Sequence, residues 1–149
     1  MISKSEIVRQ LASNIDVEQL ADNNIHIAVM QNPYLNFVLD GSKTVESRLS
    51  KTRIDPYKKA ITGDFILFKQ SGGPIVAIAK IVNCWYYENL DYTDILWLKA
   101  KFNSLVLGSD DYWKKKHSAK YASFFLLSAV TKIQPIVIHK SDGRAWVVL

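Results

Sequence analysis

Apolar residues open the chain at helical spacing, in Ile7, Leu11 and Ile15, behind Ser3-x-x-Glu6, the serine-to-glutamate spacing that caps a helix start. A second short helix is predicted over Asp16–Ala21, stopped by Asn23-Asn24. Ile25–Val29 alternates and predicts the first strand. Asn32-Pro33 then opens a helix with Leu35, Val38 and Leu39 on one face and Gly41 as its C-cap. Thr44–Leu49 alternates around Val45 and predicts a strand, followed by a basic loop from Ser50 to Thr62. Gly63-Asp64 leads into a strand over Phe65–Phe68, and Gly72-Gly73-Pro74 turns it back into Ile75–Val82 as a hairpin. Helices are predicted over Asn89–Asn103 and Asp110–His117, the second acidic at its start and lysine-rich at its end, as the helix dipole favours. Two closing strands are predicted over Tyr121–Ile133 and Ile136–Leu149, the latter broken at Ser141-Asp142-Gly143. Many strands with helices in the crossovers predict an α+β fold built on a small mixed or antiparallel barrel.

Length and composition narrow this picture. A chain of 149 residues suits one domain, and 48% hydrophobic residues exclude a disordered or low-complexity protein. Cys84 is the single cysteine, so neither a disulfide framework nor a cysteine-rich zinc site is expected. His26, His117 and His139 are scattered singly, and no metal site is expected from them. No apolar run approaches the roughly 20 residues that span a bilayer, and none follows Met1 as a secretory signal would. A cytoplasmic protein with no membrane partner is the expectation.

Charge changes the picture more. The net charge is +5, but it is unevenly placed. Lys43–Lys59 carries six Lys/Arg against Glu46 and Asp55, and Lys99–Lys120 carries six lysines against Asp110 and Asp111. The first 24 residues are acidic on balance. Such clustering is the footprint of a phosphate-binding surface, and equally of a solvated lysine-rich helix face.

Several chemistries are excluded by motif. There is no phosphate loop of the G-x-x-x-x-G-K-[ST] type, no G-x-G-x-x-G after a strand, no H-E-x-x-H and no G-x-S-x-G. What remains is Gly41-Ser42-Lys43-Thr44-Val45-Glu46-Ser47-Arg48, followed by Gly63-Asp64-Phe65-Ile66-Leu67. On an ideal strand Lys43, Val45 and Ser47 share one face and Thr44, Glu46 and Arg48 the other, unless the chain bends near Lys43. Glu46 and Arg48 can then pair, and Arg48 can offer its planar fork to a carboxylate or a phosphate.

These two segments resemble the ASCH domain family, a branch of the PUA-like barrels, from about His26 to Leu149. Gly41, Lys43, Glu46 and Arg48 meet its G-x-K-x-x-E-x-R pattern, and Gly63-Asp64-Phe65-Ile66-Leu67 meets its G-D-x-[apolar]-x-[apolar] strand. The resemblance implies a PUA-like small mixed β-barrel of about six strands, with flanking helices and a cleft lined by the Lys-x-x-Glu-x-Arg segment. Residues 25–149 would form that domain and residues 1–24 an N-terminal helical extension. The family is linked to RNA, with nucleic-acid binders and hydrolases among its members. One small group hydrolyses an acetylated cytidine with a lysine and a threonine three residues later. Lys43 matches the lysine but Glu46 stands where the threonine would be, so that mechanism does not carry over.

Three functions remain open. The first is a binding module for single-stranded RNA or a nucleotide-like ligand. There Lys43, Arg48, Lys51, Arg53, Lys58 and Lys59 would contact the backbone, with Tyr57, Tyr34 or Trp85 stacking a base. The second is a hydrolase, a ribonuclease or nucleoside amidohydrolase, with Glu46 as general base and Lys43 stabilising developing charge. Against it, Glu46 and Arg48 can simply brace the cleft. No resident cofactor is expected, although a nuclease would admit a divalent metal. The third is a protein partner on the apolar face of the N-terminal helices, Ile7, Leu11, Ile15 and Leu20. Packing of that face on the barrel is the competing expectation. Among the aromatics, Trp146 is expected in the core rather than stacking a base.

Overall fold

The computed structural model describes residues 2–12, 15–139 and 143–149. Helix α1 (Lys4–Leu11) begins where the Ser3 hydroxyl accepts the Glu6 N–H, and α2 (Val17–Asp22) where the Asp16 carboxylate accepts the Glu18 N–H. Strand β1 (Ile25–Met30), α3 (Tyr34–Leu39) and β2 (Val45–Ser50) follow, then β3 (Phe65–Gln70) and β4 (Ile75–Tyr87). Helices α4 (Tyr92–Val106) and α5 (Asp110–Lys115) lead to β5 (Tyr121–Leu127), β6 (Thr131–Ile136) and β7 (Trp146–Val148).

Among the described residues seven strands form one mixed sheet in the order β2-β5-β4-β3-β1-β7, with β6 beside β4. Neighbouring pairs are antiparallel except β1 and β3, which run parallel through the crossover that contains α3 and β2. The sheet curls into a half-barrel. Its two ends in strand order, β2 and β7, come back toward each other, because the Arg48 guanidinium on β2 reaches carbonyls at Val29 and Ala145. Helix α3 and the α4–α5 pair flank this sheet.

Four elements depart from the sequence pattern. Strand β4 runs five residues beyond Val82, its ladder shifting register between Ile81 and Asn83. Because of that bulge, one partner strand cannot follow β4 throughout. The single strand expected over Tyr121–Ile133 is therefore two: β5 pairs with Ile81–Tyr87, and β6 with Ile75–Ile78. Ser128 makes the corner, bonding the backbone of Lys80 in both directions. Of the strand expected over Ile136–Leu149, Ile136 belongs to β6 and only Trp146–Val148 forms β7. Ser141 and Asp142 of the expected break lie outside the described residues. Helix α4 sits three residues later than predicted, since Asp91 and Asp94 form the capping box and Leu107, at φ 60°, ends it. Asn103 does not stop the helix. Its side chain instead ties Gly108 and the Trp113 indole to α4.

Burial explains the rest. Ile7, Leu11 and Leu20 pack against Ile25, Ile27, Phe65 and Leu67 on one face of the sheet. Ile7, Leu11 and Leu20 are thus covered by this chain itself, as packing of that face on the sheet requires. Val45 and Leu49 pack with Ile95, Leu98, Phe102 and Phe124 beneath α4, while Ala28, Phe68, Phe125 and Trp146 fill the interior of the curl.

Candidate functional site

A cavity of about 720 Å³ opens at the seam between β2 and the β1–β7 end of the sheet. Its size falls in the range of small-ligand sites. Lys43, Glu46, Ser47 and Arg48 all border it, with Tyr34 from α3, Tyr112 and Lys116 from the α5 region, Trp146 from β7, and Ile54–Tyr57 from the basic loop.

Lys43 does not continue the strand. Gly41, at φ 82°, turns the chain after α3, and Lys43 N–H bonds back to Phe37 O before β2 begins at Val45. The alternation drawn for an ideal strand therefore fails at Lys43, which joins Glu46 and Arg48 at the cavity while Val45 faces α4. The Lys43 side chain is 3% exposed and donates to Val106 O at 2.7 Å, in the last turn of α4, where unpaired carbonyls and the helix dipole both favour a cation. Its ammonium also lies over the Tyr34 ring, 5.8 Å from the centroid. Burial pulls the Lys43 pKa below the ordinary lysine value; the Glu46 charge opposes this and the Arg48 charge adds to it.

The sign of that shift sets a pH dependence. With a lowered folded pKa, the native chain releases its Lys43 proton before the unfolded chain does. Stability therefore rises with pH from the lowered value up to the ordinary 10.5, by at most about 1.4 kcal/mol per unit. Lys43→Met is expected to remove that slope. The check is the difference in urea-unfolding free energy between parent and variant, followed from pH 7 to 10; a constant difference would contradict the burial argument.

Glu46 is buried, and its Oε1 accepts the Ser47 N–H at 2.8 Å. Arg48 Nε stands 3.7 Å from that same oxygen, an ion pair too long for a hydrogen bond. The expected fork toward a carboxylate or phosphate is not what Arg48 forms. Nη1 donates to Ala145 O at 3.3 Å, Nη2 to Val29 O at 3.1 Å and Met30 Sδ at 3.3 Å, so the guanidinium stitches the seam of the half-barrel. It lies over the Trp146 indole, 5.3 Å from the centroid.

Trp146 is held in turn. Its Nε1–H donates to His26 Nδ1 at 3.0 Å, and His26 Nε2 meets Asp64 Oδ2 at 2.9 Å. An indole nitrogen only donates, so His26 Nδ1 is the acceptor and Nε2 carries the proton given to Asp64. Asp64 also accepts the N–H groups of Asn24 and Ile61. Gly63, at φ 99°, makes the turn that aims Asp64 inward, which gives the Gly-Asp pair its structural reason.

On the opposite wall the Ser47 and Tyr112 hydroxyls share a hydrogen bond at 2.8 Å, and burial pushes the Tyr112 pKa up, so the phenol stays neutral. Lys116 donates to Leu49 O at 3.2 Å; burial, then the Arg48 charge, lowers its pKa. Lys43, Arg48 and Lys116 thus line the cavity together with the carboxylates of Glu46 and Asp55.

The remaining sequence candidates are placed as follows. Tyr57 is buried at the cavity wall, its hydroxyl donating to Glu88, with Arg53 and Lys58 over its ring. Arg53, Lys58 and Lys59 border a neighbouring dent, and Lys51 is exposed on the same loop. Tyr34 lines the cavity, whereas Trp85 packs against Phe102 away from it. Tyr112, Lys116 and Trp146 were not among the sequence candidates for the site. No local motif marks them, because they arrive from other parts of the chain. Among the described residues no cluster of His, Cys, Asp or Glu could hold a metal ion, and no helix is long and apolar enough to cross a membrane.

Comparison with known proteins agrees with this architecture. No curated protein matches the sequence. In structure, the chain is similar to crystal structures of the ASCH protein from Zymomonas mobilis. Its serine-to-alanine mutant superposes with a TM-score of 0.67 at 14% identity, over 86% of this chain and 89% of that one. The form without a stated substitution gives 0.63 at 14% identity, over 84% and 87%. At such identity the likeness establishes the shared fold, which is the curled PUA-like sheet with flanking helices. The ASCH domain profile matches residues 29–133, which include β2, the Lys-x-x-Glu-x-Arg segment and the Gly-Asp turn. The chain belongs to the ASCH domain family.

Proposed function

We propose that this chain binds single-stranded RNA or a nucleotide-like ligand at the seam cavity. The observation that carries this reading is the gathering of Lys43, Arg48 and Lys116 with Glu46 and Asp55 at one cavity, beside the exposed cations Lys51, Arg53, Lys58 and Lys59. Such an excess of positive charge at a concave site favours a polyanion. Membership in a family linked to RNA points the same way.

The test is a gel assay of end-labelled single-stranded RNA with parent protein, Lys43→Ala and Glu46→Ala, with and without Mg²⁺ or Mn²⁺. A shift without cleavage is expected, weakened about tenfold or more in Lys43→Ala. Replacing Lys51, Arg53, Lys58 and Lys59 together by Gln should flatten the salt dependence by about 0.7 in log–log slope for each phosphate contact removed. Undiminished binding by Lys43→Ala would place the RNA elsewhere. Metal-dependent or metal-free cleavage abolished by both single substitutions would instead make the chain a hydrolase, with Glu46 as its general base.

A further inference from the structure

Either a phosphate or a ring of an RNA ligand fits a cavity of this size, and the wall formed by Glu46 and Arg48 distinguishes them. Among the described residues two buried side-chain polar atoms lack a hydrogen-bond partner, Glu46 Oε2 and Arg48 Nε. They belong to one ion pair on the cavity wall, and buried polar atoms without partners are rare enough to need a cause. One is an acceptor and the other a donor. A phosphate, an anionic acceptor, would suit Arg48 Nε but would be repelled by the unpaired carboxylate oxygen. The outer nitrogens of Arg48, which would clamp a phosphate bidentately, already donate to Ala145 O and Val29 O.

A heteroaromatic ring edge carrying an N–H next to a lone-pair acceptor complements both atoms. Part of the remaining lining suits such a ring, because Tyr34, Leu49, Ile54 and Tyr112 present apolar surface and burial keeps the Tyr112 phenol neutral. The platform behind the pair is rigid: Trp146 underlies Arg48 and is itself fixed through His26 to Asp64.

We propose that the cavity reads one unpaired nucleobase by its edge, an N–H of that edge donating to Glu46 Oε2 and the neighbouring acceptor of the edge receiving the Arg48 Nε–H. Entering there, the edge separates the 3.7 Å pair and gives each atom the partner it lacks. The phosphates remain outside, beside the basic loop. This reading rests on the RNA or nucleotide binding proposed above for the same site.

The test alters the ligand and leaves the protein untouched. Three kinds of short RNA of equal length are compared by fluorescence anisotropy: an intact homopolymer of each base, a fully abasic strand, and strands methylated on the ring nitrogen of the base-pairing edge (N1 of purines, N3 of pyrimidines). At least one intact homopolymer is expected to bind about tenfold or more tighter than both its edge-methylated form and the abasic strand, the loss expected for a hydrogen bond to a charged group. Equal binding of the abasic or methylated strand would overturn the ring reading while RNA binding stands. Absence of binding by every strand would remove the RNA reading, and the edge reading with it.

Discussion

Asp64→Ala is expected to lower unfolding free energy by about 4 kcal/mol, the largest single-residue effect in this chain outside the apolar core. The carboxylate accepts from His26 Nε2–H, from Asn24 N–H and from Ile61 N–H, and it is itself 1% exposed. Alanine leaves three inward-facing donors without an acceptor, each at a cost of about 1–3 kcal/mol, partly relieved by water entering the space. Because the Nε2 proton of His26 is set by the bond at Nδ1, the imidazole cannot compensate by changing tautomer without losing Trp146. Urea unfolding measures the loss, and the tryptophan emission of the native state is expected to shift to the red as Trp146 loosens. Asp64→Asn keeps one acceptor oxygen and should cost roughly half as much. A midpoint unchanged in Asp64→Ala would mean that the Asp64–His26–Trp146 chain does not hold the platform.

Glu46→Ala is expected to cost about 3 kcal/mol and to disturb the cavity more than any other substitution there. Glu46 is the carboxylate facing Arg48 and the one group whose charge sustains the protonated form of buried Lys43. Removing it leaves two cations in a poorly hydrated wall and the Ser47 N–H without its acceptor. Glu46→Gln retains a carbonyl for Ser47 and should lose less stability. The pair of variants separates a brace from a base. If both fold and both bind RNA in proportion to their stability, Glu46 braces the cleft. A folded Glu46→Gln that binds RNA fully yet has lost a cleavage activity shown by the parent would identify a general base.

How much of this was legible beforehand follows from what local pattern encodes. The helix starts at Ser3 and Asp16, the hairpin at Gly72-Gly73, the Gly41 turn and the acidic-to-basic α5 were readable, because caps, turns and dipoles act within a few residues. The family pattern was readable too, since its residues lie in two short segments. The length of β4 was not. Its second half is paired but only partly buried, so alternation fades at Asn83 although the ladder continues. The split between β5 and β6 is the consequence of the β4 bulge and has no marker of its own at Ser128-Ala129-Val130.

The site shows the same division. Local pattern alone places a lysine, a glutamate and an arginine within six residues at the start of a strand, beside a basic loop, with no cysteine cluster or phosphate loop to suggest other chemistry. The contacts those residues make come from chain segments far away in sequence. Arg48 meets Ala145 across 97 positions, Trp146 meets His26 across 120, and His26 meets Asp64 across 38. Propensity and periodicity act over a turn or a strand, whereas these contacts depend on strand order and on how far the sheet curls, which the packing of three separate apolar clusters sets. That curl turned Arg48 from a free phosphate fork into the stitch of a seam, with one donor and one neighbouring acceptor left unpaired at the cavity wall.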